Sequence, residues 1–122
     1  MFKKNQMKPK YQLINPKQAE RIVVALSSSD ITVRMANIFK ILSDPSRLKI
    51  VIALQEGELC VNDLASATEF SQSSVSHRLK SLRDLNLVRF RREGKLTFYA
   101  LADNHVSALL AVAHDHAREV TS

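Results

Sequence analysis

Apolar residues recur at helical spacing along most of this chain, and only near residue 87 does the period change to alternation. Residues 16–28 (PKQAERIVVALSS) read as a helix begun by Pro16, a residue suited to a first helical turn. Asp30 can cap a second helix over 31–42, with Ile31, Met35, Ile38 and Leu42 on one face. Asp44 as N-cap and Pro45 at the first position open a third, which Gly57 closes; Leu48, Val51, Ile52 and Leu54 are its expected core face. A short helix over 60–67 buries Leu64 and Ala65 and stops near Thr68. Ser71 caps the next, where Val75, Leu79 and Leu82 face inward and Gln72, Ser73, Ser76, His77 and Lys80 face out. Alternation then predicts a hairpin of Leu87–Arg91 and Leu96–Leu101 with Gly94 in its turn. A last helix runs from an Asp103 cap to about Val120. The expectation is a mostly helical (α+β) domain of five or six helices and a two-stranded hairpin.

At 122 residues the chain is long enough for one modest core. Residues 1–15 are expected to be a flexible basic arm and 16–122 the domain. No apolar run approaches the roughly 20 residues needed to cross a bilayer. The amino terminus lacks the apolar centre of a secretory signal, so the expected location is the cytoplasm, with no membrane partner. The single cysteine, Cys60, cannot form an intramolecular disulfide and is expected to be small and buried. The formal net charge of +6 raises the prior for an anionic partner. Its distribution sharpens that inference: between Arg78 and Lys95 stand seven basic residues against Asp84 and Glu93.

Two short helices joined by a tight turn and followed by a basic hairpin describe a winged helix-turn-helix. Short polar side chains on the second helix let its backbone approach the major groove, where Gln72, Ser73, Ser76 and His77 can reach base edges, beside Lys80. Arg89, Arg91, Arg92 and Lys95 on the wing would meet phosphates, adding salt-dependent affinity but little sequence information. Each piece alone is also a solvated helix or a charge-protected sheet edge. Their order and charge together favour double-stranded DNA.

The segments DPSRLKIVIAL, ELCVNDLA, SQSSVSHRLKSLRDLNLV and RREGKLTFYAL resemble the ArsR/SmtB family of metal-responsive repressors, over about residues 30–120. The resemblance implies a homodimeric winged-helix repressor that binds an inverted repeat and leaves it when metal binds. One departure lies in the turn ATEFS: family members often have Gly where Glu69 stands, so either a left-handed backbone there carries a cost or the turn differs slightly.

In the terminal stretch DNHVSALLAVAHDHARE, His105 and His116 lie nearly in line on a helix, with Glu119 one turn beyond His116 and His114 pointing away. Beside them runs an apolar stripe of Val106, Leu109, Leu110, Ala113, Ala117 and Val120. Eleven residues of helix separate the two imidazoles by about 16 Å, against zinc–nitrogen bonds of about 2.0–2.1 Å. One helix therefore cannot hold the ion. An antiparallel second copy would bring Asp103 and His105 of one subunit to His116 and Glu119 of the other, twice per dimer. Small side chains at Ala108 and Val112 would allow the helices to approach. Taken alone, Asp103 is equally an ordinary cap and His116 a histidine favoured by the helix dipole. The resemblance tips the balance, because the spacing matches the family's C-terminal-helix zinc site residue by residue. Two imidazoles and two carboxylates without thiolate suit Zn(II), with Co(II) as surrogate. The family's second site finds Cys60 and Asp63 here, but no Cys or His precedes Cys60 to complete it.

The reading is a zinc-responsive DNA-binding repressor. Its alternative is a winged-helix dimer that ignores metal or answers another effector. An enzyme is not expected: the lone cysteine lacks a base and orienting partner, and no Gly-rich phosphate loop is present.

Overall fold

A computed structural model describes residues 10–121. The basic arm expected over residues 1–15 lies mostly outside the described residues; residues 10–15 carry no regular structure. By internal packing the chain forms two units, one up to Asn37 and one from Ile38 onward. The first contains α1 (Pro16–Ala25) and the start of α2 (Ser29–Leu42). Pro16 does open α1, and the Asn15 side chain caps it by accepting from the Gln18 N–H at 3.0 Å. Neither helix buries a residue fully, and Ile22, Val24, Leu26, Ile31, Val33 and Met35 are all exposed.

The second unit carries the core. Asp44 caps α3 (Pro45–Leu54) by accepting from the Arg47 N–H at 3.0 Å. That bond holds the Asp44 carboxyl below its usual range. Arg47 Nε donates to the Ile41 carbonyl at 2.8 Å and ties the end of α2 to α3. The core face of α3 is Ile50, Val51 and Leu54, with Leu48 half-buried, whereas Ile52 is 49% exposed. The sequence places Ile52 inward instead of Ile50 because this helix is apolar nearly all round, so its phase is set by packing on three neighbours, not by its own period.

Next come β1 (Leu59–Cys60), α4 (Val61–Thr68) and α5 (Gln72–Asp84). Leu64 anchors α4, and Ala65 packs against the core only partly buried. Ser71 caps α5 by accepting from the Ser74 N–H at 3.1 Å, and Val75, Leu79 and Leu82 are buried as the spacing predicts. The hairpin β2 (Val88–Glu93) and β3 (Leu96–Leu101) pairs in register from Val88 opposite Leu101 to Glu93 opposite Leu96. Gly94 takes a left-handed φ of 61° in its two-residue turn. The sheet has a third strand that the alternation did not reveal, in the order β1-β3-β2. Two residues, Leu59 and Cys60, are too few to show a period. Cys60 is half-buried, not buried, and its thiol donates to Asp63 Oδ2 at 3.2 Å.

Helix α6 (Asn104–Thr121) starts where expected: Asp103 Oδ1 accepts from the His105 N–H at 3.0 Å and the Val106 N–H at 3.3 Å. Its apolar stripe divides. Val106 and Leu110 enter the core cluster, Leu109 is half-buried, and Ala111–Glu119 are exposed throughout.

Glu69, in the turn between α4 and α5, adopts the left-handed conformation with φ 65° and ψ 17°. An L-residue with a Cβ pays for that geometry and glycine does not. Glu69→Gly is therefore expected to stabilise the fold by about 1 kcal/mol, read as a higher thermal midpoint, whereas Glu69→Ala gains nothing.

Candidate nucleic-acid interface and metal centre

Helices α4 and α5 pack on each other and on α3, and burial of Val75, Leu79 and Leu82 orients α5. Gln72, Ser73, Ser76, His77 and Lys80 all stand on its exposed face. Gln72 Nε2 donates to Asn62 Oδ1, which links the amino end of α5 to α4. Ser73 Oγ lies 3.3 Å from the capping Ser71 Oγ, and Lys80 pairs loosely with Asp84 at 3.6 Å. A short polar face with two hydroxyls, an amide and an imidazole can donate to and accept from base edges.

Two arginines of α5 belong to the scaffold. Arg78 is half-buried over the Phe70 ring at 5.1 Å and donates to the carbonyl and hydroxyl of Ser74. Arg83 lies 4.9 Å from the Phe90 ring, and Phe90 in turn meets Tyr99 at 5.9 Å. The Arg83–Phe90 cation–π contact joins α5 to β2, and the Phe90–Tyr99 ring pair carries the link on to β3. Their sequence signal was an aromatic residue among charges on the strand, without any indication of its partner.

On β2 the side chains alternate, so Arg89, Arg91 and Glu93 share one face while Phe90 and Arg92 share the other. Arg91 commits three of its five N–H groups to carboxylates. Its Nε reaches Glu58 Oε2 at 2.9 Å, Nη2 reaches Glu58 Oε1 at 3.0 Å, and Nη1 reaches Glu93 Oε2 at 2.6 Å. Its guanidinium also covers the Phe98 ring at 4.9 Å. The Arg91 hydrogen bonds hold the Glu58 carboxyl below its usual range, and the two carboxylates raise the Arg91 pKa. The Arg89, Arg92 and Lys95 side chains are exposed and form no hydrogen bond or ion pair with a described residue.

The four expected metal donors fall into two pairs on α6. At its start, Asp103 Oδ2 lies 3.4 Å from His105 Nδ1, and the His105 side chain is 95% exposed. At its far end stand His116 and Glu119, also on exposed surface. His114 contacts Asp115 at 3.8 Å and joins neither pair. Among the described residues of one chain, no three His, Cys, Asp or Glu side chains gather closely enough to hold a metal ion. The first pair nevertheless presents one oxygen and one nitrogen donor to the same space, a chemistry that fits half a zinc site.

Residues 44–89, from the cap of α3 to the start of the wing, match the family model for the bacterial regulatory protein, arsR family. The chain is 44% identical over 107 residues to the transcriptional repressor SmtB homolog of Synechocystis sp., spanning 88% of this chain and 81% of that one. The chain belongs to the ArsR family. It is also 47% identical over 89 residues to the cadmium resistance regulatory protein CadC homolog of Staphylococcus aureus, covering 72% of this chain and 74% of the relative. The homodimeric winged helix-turn-helix DNA-binding domain of a Mycobacterium bovis protein superposes with a TM-score of 0.71 at 32% identity, covering 75% of this chain and 84% of that one.

This ArsR-family protein is thus a DNA-binding transcriptional repressor of the metal-responsive ArsR/SmtB type, and its relatives are regulators rather than enzymes. Among its described residues no single helix is long and apolar enough to cross a membrane. Because Glu58 titrates lower in the fold than its ordinary value of 4.5, its stabilisation is present above that pH and fades as pH falls through the depressed value. Glu58→Gln should therefore lower the thermal midpoint at pH 7, with the difference from the parent closing as pH falls below 4.5 and through the depressed value. Melting curves across that range check it.

Proposed function

We propose that the protein is a cytoplasmic, homodimeric repressor that senses Zn(II) and releases an inverted-repeat operator when the ion binds. In this reading Asp103 and His105 of one protomer and His116 and Glu119 of its partner form an N2O2 donor set, and two-fold symmetry produces it twice. The observation that carries it is the division of the α6 donors into two exposed pairs, one towards each end of the helix and about 16 Å apart. Support comes also from the relatives, whose names attach cadmium resistance or SmtB-type repression to proteins of similar sequence. Co(II) is the expected surrogate. The absence of thiolate from the set argues against a primary response to Cd(II), despite the CadC homolog's similarity.

DNA readout is assigned to Gln72, Ser73, Ser76, His77 and Lys80 on α5, with phosphate contacts from Arg89, Arg92 and Lys95 on the wing. Two α5 helices would enter successive major grooves about 34 Å apart. Zinc would act as a ligand with higher affinity for a dimer geometry that fits this spacing poorly, which is a coupling free energy between two sites. Within one chain, Val106 and Leu110 of α6 lie in the same core cluster as Val75, Leu79 and Leu82 of α5, so a shift at the start of α6 reaches the reading helix through packed side chains.

Titrating operator DNA with and without Zn(II), Co(II), Ni(II) and Cd(II) tests this reading. Zn(II) and Co(II) should weaken binding by about 5- to 150-fold. His105→Ala and His116→Ala should each keep metal-free DNA affinity and lose the zinc response. Variants that still release DNA on zinc addition would place the sensing site elsewhere.

A further inference from the structure

Counting charges on the wing leads to a separation of roles. Seven basic residues mark the segment from Arg78 to Lys95, but a guanidinium whose charge is offset by two carboxylates has less to offer a phosphate. Arg91 is in that position. Three of its N–H···O contacts go to Glu58 and one to Glu93, and its flat face rests on Phe98. Glu58 lies 33 residues earlier, in the segment just before β1, so the guanidinium cross-links that segment to β2 and, through Phe98, to β3. Glu93 is the last residue of β2, next to the Gly94 turn, so the link reaches the tip of the hairpin.

We propose that Arg91 is a positioning residue of the wing rather than one of its phosphate contacts, and that the Glu58–Arg91–Glu93 clamp over Phe98 sets the angle at which Arg92 and Lys95 meet DNA. The inference rests on reading the β2–β3 hairpin as a DNA-contacting wing. Arg92 projects from the opposite face of β2, beside Phe90, and Lys95 from the turn. The planar, bidentate fork is essential to the clamp, because a lysine ammonium cannot engage Glu58 through two parallel donors and stack on the ring at once.

The experiment measures operator affinity across a series of salt concentrations for full-length variants, each first checked for a cooperative thermal transition. Removing one phosphate-binding cation should flatten the slope of log affinity against log salt by about 0.9. Arg92→Ala and Lys95→Ala should show that change. Arg91→Ala should lower affinity by the same factor at low and high salt, with the slope unchanged, and Arg91→Lys should fail to restore it. Glu58→Gln gives the opposite sign from simple electrostatics: removing a negative charge near DNA should strengthen binding, whereas loss of the clamp weakens it. The proposal is overturned if Arg91→Ala flattens the slope as Arg92→Ala does, if Arg91→Lys restores parent affinity, or if Glu58→Gln binds more tightly. Should Arg92→Ala and Lys95→Ala leave both affinity and slope untouched, the wing reading itself fails and the clamp's role in DNA binding falls with it.

Discussion

The rise of an α-helix, about 1.5 Å per residue, governs the functional reading of this protein. It separates Asp103 and His105 from His116 and Glu119 by too great a distance for one ion, so the proposed site needs donors from two chains. The same helix is divided in its packing. Val106 and Leu110 belong to the core of their own chain, while Ala111–Glu119 face outward with Val112 70% exposed. An exposed helix half carrying a small-residue and valine surface between donor pairs suits a second copy. The proposed sensing function follows from that geometry, since an ion bound between copies acts directly on how the two copies are arranged.

The DNA-facing side depends on a different balance, between charges spent inside the molecule and charges left over. Arg78 and Arg83 stack on Phe70 and Phe90 and join α5 to its turn and to the wing. Arg91 is surrounded by Glu58, Glu93 and Phe98. The other cations between Arg78 and Lys95 stand on exposed surface: Arg89, Arg92 and Lys95 on the hairpin, and Lys80 on α5, loosely paired with Asp84. A net charge of +6 is therefore a poor guide to the number of phosphate contacts, because stacked and clamped arginines contribute shape more than free charge.

Much of this was legible in the sequence where local chemistry decides structure. The caps Asp44, Ser71 and Asp103, Pro16 and Pro45 at first helical positions, Gly94 in the hairpin turn and the inward face of α5 all follow from neighbours within four residues. What was not legible depends on distant partners. The two-residue β1 exists only because β3 pairs with it. Ile50 rather than Ile52 is buried because α3 is packed on several sides, and Arg91 is clamped by a residue 33 positions earlier. Glu69 lies between these cases: the turn was readable with two alternatives open, and the fold takes the left-handed one. The placement of Asp103, His105, His116 and Glu119 towards the two ends of α6 was readable by spacing.

Mixed dimers measure the central claim most directly. Protomers carrying His105→Ala and His116→Ala would each form homodimers without an intact site. A heterodimer of the two would keep one whole site, contributed by Asp103 and His105 of one chain and His116 and Glu119 of the other, and would lose both ligating imidazoles from the second. Zinc titration of the purified heterodimer, followed by operator release, should recover tight binding of one ion per dimer and a zinc response absent from both parent variants. A heterodimer as unresponsive as its parents would contradict an intersubunit site on α6.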